Sequence, residues 1–165
     1  VNQNAVKFGT GQQGAYIPNG SYGTIVKDNY KIWSNFNWKK KNTSKKLLNQ
    51  TYQIKGHYNH INGSTYYSLY NNKGEWQGYI NTNAVKIGDG KQGAFIADGR
   101  KVTIAKKGYS IWSNFKWEER TKTDKVFKRT YVAKGKYNHL NGATYIALYD
   151  TKGMWQGYVN QNAVR

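Results

Sequence analysis

Asn62-Gly63-Ser64-Thr65-Tyr66-Tyr67-Ser68-Leu69-Tyr70 decides the fold class, because its side chains alternate, with Tyr66 on one face and Leu69 on the other. Period two is the mark of a half-buried strand. The Asn62-Gly63 pair ahead of it supplies residues that accept the positive φ angles of a type I′ turn, which predicts a hairpin. Downstream, Asn72-Lys73-Gly74 punctuates the chain before Trp76-Gln77-Gly78-Tyr79, so three strands follow one another in a meander. All of this returns 79 residues later as Asn141-Gly142, Thr144-Tyr145-Ile146-Ala147-Leu148-Tyr149, Thr151-Lys152-Gly153 and Trp155-Gln156-Gly157-Tyr158. The period reaches the ends of the chain. Val1-Asn2-Gln3-Asn4-Ala5-Val6 reappears as Ile80-Asn81-Thr82-Asn83-Ala84-Val85 and again as Val159-Asn160-Gln161-Asn162-Ala163-Val164, so the copies form an internal alignment. The expected organisation is residues 1–7 as the end of a preceding repeat, 8–86 as a first repeat and 87–165 as a second, cut from a longer multidomain array.

Earlier in each copy, Tyr30-Lys31-Ile32-Trp33 and Thr51-Tyr52-Gln53-Ile54 read as strands, as do Tyr109-Ser110-Ile111-Trp112 and Thr130-Tyr131-Val132-Ala133. The polar stretches between them, 37–50 and 116–129, diverge most between the copies and read as surface loops. A short hairpin is expected to open each copy, turning at Pro18-Asn19-Gly20 and Ala97-Asp98-Gly99. Short antiparallel strands of this kind predict an all-β chain of two small, partly open barrels, each preceded by a short β-hairpin. Each barrel would have a modest core, since small domains bury a smaller fraction of their surface.

There is no cysteine, which excludes disulfides and thiolate metal sites. No apolar run approaches the roughly 18 residues of a spanning helix. The 26 Lys and Arg against 8 Asp and Glu give a net charge of +18, and both copies share it: residues 1–79 hold ten lysines against Asp28 and Glu75. Such a charge favours capture of polyanions. Nucleic acid is a minor alternative among them, because no reader motif is visible.

The internal alignment also removes most chemistry. Not one of the eight carboxylates recurs: Asp28 faces Lys107, Glu75 faces Met154, Asp150 faces Asn71, and the remaining five likewise face other residue types. A repeated acid–base pair is therefore absent, and no catalysis is expected. His60 and His139 recur, each after Tyr-Asn and before the turn, without an orienting carboxylate or a nucleophile; they read as turn-capping histidines. His57 becomes Lys136, so no metal set recurs, and no cofactor is expected. Gly9-Thr10-Gly11-Gln12-Gln13-Gly14 imitates a dinucleotide fingerprint, but no helix pattern follows it.

What does recur is aromatic and basic. Trp33-Ser34-Asn35-Phe36-x-Trp38 returns as Trp112-Ser113-Asn114-Phe115-x-Trp117, and a turn near Asn35 is needed to place its rings. Trp33 and Trp112 read as core, Trp76, Trp155, Tyr79 and Tyr158 as barrel filling. Trp38 and Trp117 could each stack on a sugar or prop the loop. The candidate ligand-binding residues are Trp38, Lys39, Lys40, Lys41, Lys55 and Lys73 in the first copy. Trp117, Arg120, Lys122, Lys134 and Lys152 are those of the second.

The order of Ile-Trp strand, long loop, Thr-Tyr strand, Asn-Gly turn, Thr-Tyr strand, Lys-Gly turn, Gly-aromatic and Asn-Ala-Val resembles the GW module. These are bacterial Src-homology-3-like cell-wall-attachment repeats, with Gly78-Tyr79 and Gly157-Tyr158 standing where that family has Gly-Trp. The resemblance covers about the last three-quarters of each copy. It implies a secreted, monomeric segment that holds an enzyme or adhesin on a Gram-positive cell surface through teichoic or lipoteichoic acid. A carbohydrate-binding module for neutral glycan, peptidoglycan or an α-glucan, and an adhesin for host glycosaminoglycans are the alternatives.

Overall fold

Both copies build the meander that the tyrosine-rich alternation predicts. The computed structural model describes residues 1–165, and the chain is all-β, with antiparallel strands in two seven-stranded sheets. It divides into two compact units, Val1–Gly93 and Ala94–Arg165. Unit 1 holds β1 (Ile17–Ile25), β2 (Lys31–Trp33), β3 (Lys40–Thr43), β4 (Thr51–Asn59), β5 (Thr65–Tyr70), β6 (Trp76–Asn81) and β7 (Val85–Gly88) in the order β3-β2-β6-β5-β4-β1-β7. Its ends β3 and β7 do not pair, so the sheet stays open and does not close into a barrel. Unit 2 holds β8 (Phe95–Ala97), β9 (Lys101–Thr103), β10 (Ser110–Trp112), β11 (Glu119–Lys122), β12 (Thr130–Asn138), β13 (Thr144–Tyr149) and β14 (Trp155–Asn160). Their order is β11-β10-β14-β13-β12-β8, with β9 also on β12.

The aliphatic residues of the alternation meet on one face of each sheet. Ile25, Ile32, Tyr52, Ile54, Leu69, Ile80 and Ala84 form the core of unit 1; Val102, Ile104, Ile111, Tyr131, Ala133, Ile146, Leu148, Val159 and Ala163 form that of unit 2. The recurrent Asn-x-Asn-Ala-Val phrase contributes to both. Asn81 accepts the Asn83 N–H at 2.9 Å and starts a 3-10 turn that drops Ala84 into the core. Asn160, Asn162 and Ala163 repeat it.

Four local expectations are corrected. Pro18-Asn19-Gly20 is not a hairpin turn: β1 runs through it along β4, with only a register shift between Pro18 and Ser21. The Asn19 carboxamide oxygen accepts the N–H groups of Gly20 and Ser21, so the extra residues are satisfied without reversing the chain. Asp98 serves unit 2 in the same way through the Arg100 N–H, and β8 and β9 both lie along β12. The β4–β5 hairpin exists, but its loop is His60–Ser64 rather than a two-residue turn. His60 Nδ1 accepts the Asn62 N–H at 3.0 Å, and Gly63 alone in that loop takes positive φ.

The stretches 37–50 and 116–129 are not free loops. β3 and β11 pair along β2 and β10, and Ser44 and Thr123, both fully buried, accept the N–H groups of Tyr30 and Tyr109. Leu47 and Leu48, matched by Val126 and Phe127, pack on the cores. The polar composition concealed one edge strand and two apolar anchors. Finally, Trp33, Trp76, Tyr79 and their counterparts lie outside the cores, because Ile32 and Ile80 take the inward positions beside them.

Gly78 and Gly157, the glycines of the Gly-Tyr pair, sit at φ 118° and 121°. A Cβ at Gly78 would meet Ile32 Cγ2 at 2.7 Å and the Trp33 carbonyl oxygen at 2.9 Å. Replacing Gly78 by Ala is expected to destabilise unit 1 by about 1–3 kcal/mol, read as a lower urea midpoint.

Candidate functional site

The opposite face of each sheet is paved with rings, and β-bulges put them there. Along β4, Ile54 pairs with Leu69 but Gly56 pairs with Ser68, leaving Lys55 as an extra residue. One inserted residue transfers every later side chain to the other face. Tyr52 and Ile54 therefore point into the core, whereas Tyr58 points out beside Tyr66. A second bulge at Gln77, between the pairs Leu69–Gly78 and Tyr70–Trp76, allows Trp76 and Tyr79 to share the outer face although they are three residues apart. Unit 2 repeats both shifts.

Phe36 is the hub of unit 1. It stacks on Tyr79 with centroids 4.6 Å apart and meets Tyr58, Tyr66 and Trp38 edge-on at 5.1, 5.6 and 5.9 Å. Phe115 holds the same place against Tyr158, Tyr137, Tyr145 and Trp117 at 4.5, 5.1, 5.7 and 6.0 Å. The tight Trp-Ser-Asn-Phe-x-Trp loop delivers the hub: Asn35 Oδ1 accepts the N–H groups of Asn37 and Lys39, and Trp38 takes φ 64°. Trp38 thereby lies 5.3 Å from His60 and Trp33 lies 5.2 Å from Trp38. Trp38 and Trp117 prop the loop through their contacts with Trp33 and Phe36, and with Trp112 and Phe115, and stay 39% and 38% exposed.

The cations ride on these rings. Lys41 Nζ is 5.3 Å from the Trp76 centroid and Lys55 Nζ 4.4 Å from that of Tyr70. Arg120 over Trp155 at 5.5 Å and Lys134 over Tyr149 at 4.4 Å are their counterparts. Each is the extra residue of a bulge, since β2–β3 shifts register at Lys41 and β10–β11 at Arg120. A bulge re-aims its extra side chain, and here it lays a cation over an aromatic face, a pairing worth about 0.5–1 kcal/mol when exposed. The same charge remains at the rim of the ring surface.

Tyrosines line a concavity of unit 1. Tyr16, Tyr58, Ser68, Tyr70, Trp76 and Tyr79 line this open depression of about 410 Å³. Tyr16 reaches it because Gly56 has no side chain: the Tyr16 ring lies directly on the Gly56 backbone, where a Cβ would stand. Gly135 admits Phe95 in the same way. Burial pushes the Tyr79 phenol up to about 12, with Tyr58 adding to the shift through charge and a hydrogen bond. Burial also raises Tyr16, aided by Tyr70 and Tyr58. These groups are thus neutral hydrogen-bonding hydroxyls, not anions.

Of the residues singled out from sequence, Lys41, Lys55, Arg120 and Lys134 meet the ring surface directly, and Trp38 and Trp117 form part of it. Lys40 lies on edge strand β3, with Lys39 just ahead of it where its carbonyl closes the Trp-Ser-Asn-Phe loop. Lys122 pairs with Glu119 at 3.3 Å. Lys73 and Lys152 lie in the β5–β6 and β13–β14 turns. Tyr16, Tyr58, Ser68 and Tyr70 were not foreseen as site residues; the recurrence of Gly56 and Gly135 opposite a recurrent aromatic was the signal that could have found them.

No protein-family model matches the chain, and no curated protein matches it. Among solved structures, the chain is similar to a putative autolysin from Listeria monocytogenes, with 17% identity and a TM-score of 0.43 over 90% of this chain and 63% of that one.

Two outcomes are expected. Gly56→Ala should expel Tyr16 from the concavity, seen as loss of nuclear Overhauser contacts between the Tyr16 and Tyr58 rings, which now lie 5.5 Å apart. Tyr52 and Tyr79, both held near 12 against an ordinary 10.0, favour the neutral form in the fold. Their contribution to stability is full below pH 10 and is lost as pH rises toward 12. Urea midpoints should fall across that window, and Tyr52→Phe should flatten the fall.

Proposed function

We propose that the chain is a non-catalytic attachment module whose two ring-and-cation surfaces bind an anionic cell-wall polymer, teichoic or lipoteichoic acid, at a Gram-positive surface. The carrying observation is the duplicated set of bulge cations laid over aromatic rings, Lys41 and Lys55 matched by Arg120 and Lys134. Their partners are rings, which leave the charge available, and eight carboxylates cannot neutralise 26 cations. A phosphate polymer exchanges its condensed counterions for such cations, so affinity falls with salt. Two weak surfaces on one chain act together, because the second contact is made at high effective concentration. The resemblance to GW modules points to the same class of polymer, and no carboxylate recurs between copies to support catalysis.

A neutral-glycan reading draws on a specific feature, the partial exposure of Trp38 and Trp117. Retention on purified cell walls across a salt series separates the two. The proposal expects binding that declines steeply with salt, vanishes on acid-stripped walls and drops at least about tenfold when Lys41, Lys55, Arg120 and Lys134 are all changed to Ala. Retention on stripped walls at high salt, lost only with Trp38→Ala and Trp117→Ala, would overturn it in favour of stacking.

A further inference from the structure

The ring surfaces of the two units match in their rings and bulge cations but differ in hydroxyls. Tyr58, Tyr70, Trp76 and Tyr79 recur as Tyr137, Tyr149, Trp155 and Tyr158, whereas Tyr16 becomes Phe95 and Ser68 becomes Ala147. The ring at the first position has not moved. Tyr16 meets Tyr58 at 5.5 Å and 65°, and Phe95 meets Tyr137 at 5.6 Å and 66°. Unit 1 therefore differs here by the addition of two hydrogen-bonding groups to an unchanged aromatic wall.

Those groups converge. Ser68 is 3% exposed and lines the concavity, and its Oγ accepts the Trp76 indole N–H at 3.1 Å. That leaves the serine hydroxyl hydrogen to donate. Around it stand the phenols of Tyr16, Tyr58, Tyr70 and Tyr79, and the Lys55 and Lys41 ammonium groups sit over Tyr70 and Trp76 at the margin. The interior of the hollow is neutral, aromatic and rich in hydroxyls, with its positive charge confined to the rim. A phosphate suits the rim; the interior suits a neutral residue with a ring or carbon face to stack and several hydroxyls to pair.

The geometry points to a selective subsite in unit 1, formed by Tyr16, Tyr58, Ser68, Tyr70, Trp76 and Tyr79, that takes one neutral polyhydroxylated residue, a sugar or polyol unit of the bound polymer. Unit 2, with Phe95 and Ala147, lacks two of these hydroxyls and takes the same residue more weakly, holding the polymer chiefly by charge and ring contact. The inference rests on the polymer-binding reading above, yet the subsite is defined by uncharged groups and is tested without charge.

The test follows the six indole N–H signals of the full chain by NMR in 1 M NaCl, during titration with methyl α-D-glucopyranoside, methyl N-acetyl-β-D-glucosaminide, ribitol and glycerol. At least one probe is expected to shift the Trp76 indole N–H saturably, with Trp155 responding about tenfold more weakly, as two hydrogen bonds of ordinary strength imply. Response to the glycosides alone identifies a sugar, and response to ribitol or glycerol identifies a polyol. Tyr16→Phe with Ser68→Ala should weaken the Trp76 response about tenfold; Phe95→Tyr with Ala147→Ser should strengthen that of Trp155 by a similar factor. Both pairs carry side chains that the other unit already accommodates, so misfolding does not cloud the outcome. No saturable shift at Trp76 with any probe, an equal shift at Trp155, or an unchanged response in the first double variant would each overturn the inference. Failure of salt-dependent wall retention would instead overturn the polyanion reading and leave this result standing.

Discussion

The one-residue bulge at Lys55, repeated at Lys134, is the constraint on which the rest of each unit depends. Without it β4 would keep a single period, and Tyr58 would follow Tyr52 and Ile54 into the core. With it the strand serves two surfaces in turn, aliphatic at one end and aromatic at the other. The same insertion turns Lys55 onto Tyr70 and brings Gly56 to the place where Tyr16 must lie flat. Core, ring surface and cation position are thus set together by a change of register.

That coupling explains why the copies conserve their surface geometry so closely while their charges drift. A ring surface assembled from several strands and one loop tolerates little displacement: Phe36 and Phe115 keep their contacts with tyrosine and tryptophan rings to within 0.1 Å of each other. Lys39 and Lys40, by contrast, give way to Glu118 and Glu119 in the second copy. The bulge cations are fixed because the backbone aims them, and the turn lysine Lys73 also recurs, as Lys152. A polymer of repeating charge suits such a pattern, with a few fixed contacts and a diffuse field around them.

Much of the fold could be read from residue order. The meander, the all-β class, the turn near Asn35 and the capping role of His60 follow from alternation, Asn-Gly chemistry and the company each residue keeps. Other features could not be read. Pro18-Asn19-Gly20 has the composition of a turn, and only the length of β4 beside it shows that the chain runs straight on. Trp33 and Trp76 are large and apolar and so read as interior, but alternation fixes only that neighbours face opposite ways, not which face is inside. The smaller Ile32 and Ile80 take the interior, where their volumes pack.

The sequence by itself determined the strands of the meander, the duplication, the basicity and the failure of any carboxylate to recur, because these are properties of residue type and spacing. Tertiary structure alone decided which rings meet, which cations rest on them and which hydroxyls share a hollow. The physical reason is the bulge. Period two is a local rule that a single extra residue inverts, and whether a residue is extra is settled only by its partner strand.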